Sequence, residues 1–218
     1  MRNKIVAADE AGIARAASIV RNGGVVVIPT DTNMGLAADP WNLAAIDRVF
    51  AIKRRAAIKP LTLYIDRPEQ WREYGTGSPA AVEQIDILAG RFWPGPLNII
   101  AEAREAIRTP MLCGQTTIAI SCVSNTATRA IVAQSGKPLA LTSANISGTA
   151  DDRLVDMDFV LGQIGEDVDL IVEGGAQNTT KSTTIVAVID EPKLLREGDL
   201  NWSRIAQALG LPEARGAA

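Results

Sequence analysis

The 218-residue chain reads as an α/β protein built on a mixed, twisted sheet, and three observations predict it. Apolar residues recur at helical spacing over Ala8–Arg21 and Asn42–Ile52. Short β-branched runs bounded by Gly and Pro stand between such segments, as in Val25–Pro29. Helices and strands alternate at first, and the C-terminal part then turns strand-rich.

Each element follows from its local pattern. Ile13, Ala16, Ala17 and Val20 share one face of the first helix, which Asn22-Gly23-Gly24 stops. Val25–Pro29 is a strand buried on both faces. Leu43, Ile46, Val49 and Phe50 line the next helix, which ends in the basic knot Lys53-Arg54-Arg55 ahead of a strand at Leu61–Ile65. A helix near Pro79–Arg91 closes on the turn Trp93-Pro94-Gly95-Pro96. Strands are expected at Leu97–Glu102, Thr117–Cys122 and Pro138–Thr142, with a helix at Thr126–Gln134. Late strands at Val168–Val172 and Thr183–Ile189 flank the Gly-rich stretch Glu173–Thr180. Ser135-Gly136-Lys137 resembles the tail of a phosphate-binding loop, but Pro138 stands where Ser or Thr is needed, so it reads as a turn.

With 47% hydrophobic and 22% charged residues the composition is that of a globular domain, and 4% aromatic residues leave a core of Ala, Val, Ile and Leu. The length suits one domain over residues 1–211, with 212–218 expected as a disordered tail. A formal charge of −3 argues against a whole-surface nucleic-acid footprint while leaving room for a local basic pocket. The absence of histidine excludes Ser-His-Asp and Cys-His catalysis and an imidazole base. Two cysteines, Cys113 and Cys122, make no zinc or CxxC motif and are expected as buried thiols in a reducing compartment. No metal site is assigned to the protein itself. The first residues lack an apolar signal core and no run suits a bilayer span, so the expected location is the cytoplasm.

The informative residues fall at strand ends and in loops. Pro29-Thr30-Asp31-Thr32-Asn33-Met34-Gly35-Leu36 follows the first buried strand, where open α/β sheets bind ligands; a hydroxyl turn leading onward is an equal reading. Lys53, Arg54, Arg55 and Lys59 either cap a helix C-terminus or receive an anionic ligand such as a polyphosphate. Leu141-Thr142-Ser143-Ala144-Asn145-Ile146-Ser147-Gly148 again follows an apolar strand and either makes a turn or donates to phosphate and ribose oxygens. Ser182-Thr183 and Arg196 have the same character.

Taken in order, PTDTxxGL, KxRxxxKPL, WPGPL, PLxxTSANxSG, an ST pair and a late LLREG resemble the YrdC-like family over about Ala16 to Leu200. The resemblance implies a YrdC-like twisted mixed sheet with flanking helices around an open, positively charged cavity. It implies synthesis of threonylcarbamoyl-AMP from L-threonine, bicarbonate and ATP with Mg2+, releasing pyrophosphate, for modification of tRNA adenosine-37. The partners would be these small molecules, with tRNA or a downstream threonylcarbamoyl transferase, and no membrane. Carried over by position, Lys53, Arg55, Ser143 and Asn145 would hold the phosphates and the acyl group. Thr32, Arg55, Tyr64 and Ser182 would face the amino acid, and Ser182 and Arg196 would close over the nucleotide.

The departures cluster. Met34 stands where an aromatic is usual, Asn98 where Thr or Ser is usual, and Tyr64 where His is common. The family's VRxPxH reads Ile120-Ser121-Cys122-Val123-Ser124-Asn125, without its Arg, Pro or His, and the Asp after the ST pair is missing. Ser cannot imitate a guanidinium clamp, so nucleotide binding is expected to be kept better than threonine specificity. Two alternatives therefore stand beside the synthase: a paralogue forming a carbamoyl-adenylate on another acceptor, and a non-catalytic nucleotide- or RNA-binding module.

Overall fold

A computed structural model describes residues 4–56, 58–107, 109–150, 153–174 and 179–212. The elements are β1 (Ile5–Val6), α1 (Glu10–Arg21), β2 (Val26–Ile28), β3 (Gly35–Ala38), α2 (Leu43–Lys53), β4 (Thr62–Tyr64), α3 (Trp71–Tyr74), β5 (Gly75–Thr76) and α4 (Pro79–Phe92). There follow β6 (Leu97–Ala103), β7 (Thr117–Ser121), α5 (Thr126–Ser135), β8 (Leu139–Ser143), α6 (Met157–Gln163), β9 (Leu170–Val172), β10 (Thr184–Ala187), β11 (Lys193–Arg196) and α7 (Trp202–Leu209).

The helices start where short polar side chains can serve their first free N–H groups. Asp9, Asn42, Ser78, Asn125 and Asn201 each accept from the backbone three residues on. Gly136, left-handed at φ 72°, ends α5, as the turn reading of Ser135-Gly136-Lys137 requires.

The strands form one mixed sheet in the order β1-β9-β2-β3-β8-β4-β7-β6-β10-β11, with β5 added beside β6. β3 runs antiparallel to both β2 and β8, while β4–β7 and β6–β10 are parallel pairs. Because side chains alternate, one face carries Leu36, Leu63, Ile99, Ile120, Ala140 and Val186 into a core shared with Ile46 and Val49 of α2, Ile85 and Leu88 of α4, and Ile205 of α7. The opposite face is covered by α1 and α5 only around Val26, Ile28, Ala37, Leu139 and Leu141. Beyond that cover, the same face is bare over β4, β7, β6 and β10, and this bare stretch positions the site.

The expected strands and helices are present with ends shifted by a residue or two. β3 lies inside the segment read as a ligand loop: Gly-Leu-Ala-Ala has no β-branched residue, and its pairing on both edges overrides that weak propensity. A Cβ on Gly35 would come within 2.8 Å of Leu141 Cδ2 and 3.2 Å of Thr30 Cγ2, so a larger residue there would displace these side chains. The C-terminal part is less strand-rich than expected, because α6 and α7 lie in it. Cys122 is buried as expected, but Cys113 is only half-buried. Residues 175–178 of the Gly-rich stretch and 213–218 of the expected tail lie outside the described residues. Among the described residues no helix is long and apolar enough to cross a membrane.

Candidate functional site

A cavity of about 1090 Å³ opens over the bare stretch of sheet. Its floor is Leu141 and Ser143 of β8, Thr62 and Tyr64 of β4, Ala119 of β7, Asn98 and Ile100 of β6, and Ile185 of β10. Its walls are the loops after β2, α2 and β8 and the segments flanking β10 and β11. All eight residues singled out from the sequence line it: Thr32, Lys53, Arg55, Tyr64, Ser143, Asn145, Ser182 and Arg196. Lys53, Arg55, Lys59, Arg153, Lys181 and Arg196 bring cations to the walls, against a single carboxylate among the described lining residues, Glu197. The floor carries no charge.

Lys53 is the most constrained of the eight. It is 1% exposed, and its ammonium donates to the carbonyls of Ser143 at 2.5 Å and Asn145 at 2.6 Å, with Asn145 Oδ1 at 3.5 Å. In return, Ser147 N donates to the Lys53 carbonyl at 2.8 Å. The end of α2 is thus stapled on two sides to the loop after β8. Burial, helped by the nearby Arg55 charge, lowers the Lys53 pKa from 10.5 to about 7. Arg55 braces its own loop, donating to the carbonyls of Lys59 at 3.0 Å and Pro60 at 2.9 Å, and burial lowers its pKa.

Asn145 is equally engaged: its amide donates to the Ile146 carbonyl at 2.8 Å and to Thr149 Oγ1 at 3.4 Å. Ser143 differs, since its hydroxyl makes no hydrogen bond to another described residue while facing the cavity. Thr32 and Thr183 share a hydroxyl contact of 2.8 Å, and Asn33 Nδ2 donates to Ser182 Oγ at 3.1 Å. These two bonds tie the loop after β2 to the segment entering β10. Arg196 Nε donates to the Thr183 carbonyl at 2.9 Å and leaves the rest of its guanidinium at the rim. Tyr64 is buried, and loss of hydration, with the Asp31 charge, pushes its hydroxyl pKa up.

The divergent segment 120–125 takes no part in the lining. Ser121 is fully buried, with its hydroxyl 3.3 Å from the Leu97 carbonyl. The Asp31 carboxylate accepts from Ser124 N at 2.8 Å, Ser124 Oγ at 2.9 Å and Asn125 N at 2.7 Å. Asn125 Oδ1 in turn caps α5. Where an acceptor-facing cation was in question, the chain has a structural tie. Arg129, on α5, donates to the Asp66 carbonyl at 2.9 Å and does not line the cavity.

Several lining residues were not singled out from the sequence as site residues, notably Asn33, Thr62, Asn98, Thr117, Arg153 and Lys181. Asn33 lay within a quoted motif and could have been named; Arg153 and Lys181 are lone cations without a local pattern. Among the described residues no group of three or more His, Cys, Asp or Glu could hold a metal ion.

A family model for Sua5, YciO and YrdC proteins, described as "Telomere recombination", matches residues 18–198. The chain is 30% identical over 203 residues to the threonylcarbamoyl-AMP synthase of Pyrococcus abyssi, covering 93% of this chain and 58% of that protein. It is 30% identical over 200 residues to the threonylcarbamoyl-AMP synthase of Bacillus subtilis, covering 91% of this chain and 56% of that protein. The crystal structure of P. abyssi Sua5 complexed with L-threonine superposes with a TM-score of 0.84 at 30% identity, over 93% of this chain and 58% of the other. The chain therefore spans little more than half the length of these relatives. The expected YrdC-like α/β fold, a mixed sheet with flanking helices around an open cavity lined by cations, is the one observed. On the extent of the family match, and with relatives at this identity over most of its length, the chain belongs to the Sua5–YciO–YrdC family.

Proposed function

We propose that the chain is an ATP-dependent synthase forming threonylcarbamoyl-AMP from L-threonine and bicarbonate, with pyrophosphate released, for threonylcarbamoylation of tRNA adenosine-37. The observation that carries this reading is the convergence of five of the six distant motifs on one cavity whose walls are cationic and whose floor is neutral. A cavity of about 1090 Å³ has room for a nucleotide and a small amino acid together. The relatives named threonylcarbamoyl-AMP synthase, and the Sua5 structure holding L-threonine, support the same assignment.

The chemistry suits a chain without histidine. Bicarbonate supplies CO2 to the amine of threonine, its hydroxide leaving as water with the amine proton, and an oxygen of the resulting carbamate attacks the α-phosphorus of ATP. The bond from the α-phosphorus to the bridging oxygen breaks, and pyrophosphate leaves with the electron pair. No protein nucleophile is needed; the protein positions the reactants and offsets phosphate charge. Arg55, Lys59, Lys181 and Arg196 line the walls and would meet the triphosphate, to which the Ser143 hydroxyl would donate. Lys53 fixes the loop that presents Ser143 and Asn145.

A Mg2+ arriving on the triphosphate would find one carboxylate among the described lining residues, Glu197, to hold it directly or through water. Bound there, such an ion would draw negative charge from the phosphates. Residues 1–211 would act as one YrdC-like unit in the cytoplasm, handing the adenylate to a separate threonylcarbamoyl transferase or tRNA-bound machinery.

One observation favours a second reading, a carbamoyl-adenylate formed on another acceptor: Ser121, Ser124 and Asn125 are turned into structural bonds and offer the cavity nothing. Pyrophosphate release with ATP and bicarbonate across a panel of amino acids, with the product identified by mass, separates the readings. Threonylcarbamoyl-AMP as the main product upholds the first, and a different adenylate upholds the second. ATP binding without any adenylate would overturn both in favour of a binding module.

A further inference from the structure

Two buried side-chain oxygens that line the cavity have no hydrogen-bond partner among the described residues, Ser147 Oγ and Asn98 Oδ1. They differ in kind. Ser147 sits on the loop stapled to Lys53, and its hydroxyl can donate to a phosphate oxygen. Asn98 Oδ1 can only accept, and it lies on the neutral floor. Asn98 is 6% exposed, and its amide nitrogen lies 3.5 Å from Thr62 Oγ1, two strands away. The small side chain of Ala119 on the strand between lets the amide lie across the sheet.

Buried carbonyl oxygens without partners are rare in native proteins, and one that faces a cavity is completed by what the cavity holds. The group that completes this one must be a donor. Its other neighbours on the floor are Ile100 on the same strand and Ile185, the register partner of Asn98 on β10. A hydroxyl carried on a short alkyl chain fits that combination. A carboxylate does not, since the floor has no cation and Asn98 Oδ1 would repel it. Ser121, the register partner of Asn98 on β7, cannot answer the need because its hydroxyl points to the Leu97 carbonyl.

We propose that Asn98 is a specificity-determining residue whose Oδ1 accepts a hydrogen bond from the side-chain hydroxyl of a β-hydroxy amino acid, the adjoining alkyl group resting on Ile100 and Ile185. This rests on the synthase reading for the identity of the ligand as an amino acid, but its test does not require turnover. Calorimetry on the full chain with Mg-ATP present and bicarbonate omitted compares L-threonine with L-2-aminobutyrate, which lacks only the hydroxyl. A site built to bond a hydroxyl rejects the analogue lacking it, because its own polar group is left unpaired. Wild type is expected to prefer L-threonine by at least about tenfold, a modest share of the discrimination such sites achieve. Asn98→Leu, similar in size but without an acceptor, is expected to reduce the preference to about threefold or less, again by removing that bond. Asn98→Ala is expected to do the same and carries the test should the Leu variant fail to fold. A wild type without preference, or a preference that survives in a folded variant, overturns the proposal. If no amine yields an adenylate while the preference and its loss are both seen, the synthase reading falls and the Asn98 assignment stands.

Discussion

The Lys53 ammonium lies 2.6 Å from the Asn145 carbonyl, joining the end of α2 to the loop after β8 across 92 residues of chain. The KxR and SxN motifs are therefore one unit: a cation from the first holds the backbone of the second. From sequence alone Lys53 and Arg55 look like equal phosphate clamps, but the structure separates them. Lys53 bonds carbonyls inside the wall, while Arg55 braces a loop at the edge.

Lys53→Ala should therefore lower stability and ATP affinity together. It leaves the carbonyls of Ser143 and Asn145 without their donor, at about 1–3 kcal/mol for each buried unsatisfied group. Arg55→Ala should weaken ATP by about 1.5–3 kcal/mol, the range for a charge-assisted hydrogen bond, with a smaller loss of stability. Calorimetry with ATP and urea denaturation on the same samples check this. Lys53→Ala with wild-type stability would remove the staple.

The lowered pKa of Lys53 gives stability a pH dependence with a definite sign. Its folded value is about 7 against an ordinary 10.5. Between those values the unfolded chain holds a proton that the folded chain lacks, so stability rises with pH across that window and is flat below it. The free-energy difference between wild type and Lys53→Met should grow in favour of wild type from about pH 7 to pH 10, at up to about 1.4 kcal/mol per pH unit. Chemical denaturation at four or five pH values measures it, and a difference that shrinks with rising pH contradicts the assignment.

Ser143 and Asn145 should part company under mutation. The Ser143 hydroxyl bonds no other described residue, so Ser143→Ala should leave stability within about 0.5 kcal/mol, as for substitutions away from structural features. Its turnover should still fall more than about tenfold if that hydroxyl serves the phosphates, a loss of about 1.4 kcal/mol in the transition state. Asn145→Ala should cost both, since its amide holds Ile146 and Thr149 in place. Adenylate formation per folded molecule, beside thermal melts, decides. Normal turnover in Ser143→Ala would return this residue to the role of a simple turn.

How far the sequence could be read follows from where each signal resides. Val25–Pro29 announced its strand because β-branched residues and the bounding Gly and Pro act locally, and most of the cavity residues were visible because they sit in polar motifs at strand ends, whereas Tyr64, inside an apolar strand, was reached only through the family resemblance. β3 was not, since Gly-Leu-Ala-Ala is a strand only by virtue of β2 and β8 on either side. Nor could sequence place the partners of Lys53, which lie 90 and 92 residues away. The face on which Ser121 and Asn98 lie depends on register, and a shift of one residue would reverse both.

L-threonine should bind this chain loosely, with KM above about 1 mM, the upper end of the ordinary enzyme range. In the family resemblance the position of Ser121 carries an Arg, and a guanidinium paired with a carboxylate is roughly twice as strong as a neutral hydrogen bond. Here Ser121 does not even present its hydroxyl, which faces the Leu97 carbonyl, and Ser124 and Asn125 are held by Asp31. Arg129, the nearest cation on α5, is turned to the Asp66 carbonyl. Carboxylate recognition would then fall to cations on the walls, such as Lys59, Arg153, Lys181 or Arg196, and not to the position of Ser121. Met34, at the position where an aromatic is usual, is fully buried in the core and gives the cavity no rigid wall. Steady-state kinetics with L-threonine, L-serine and simple amines test this directly. Weak saturation by threonine with poor discrimination against serine is the expected outcome. A threonine KM well below about 1 mM with strong rejection of serine would show that rim groups restore full recognition despite the loss at position 121.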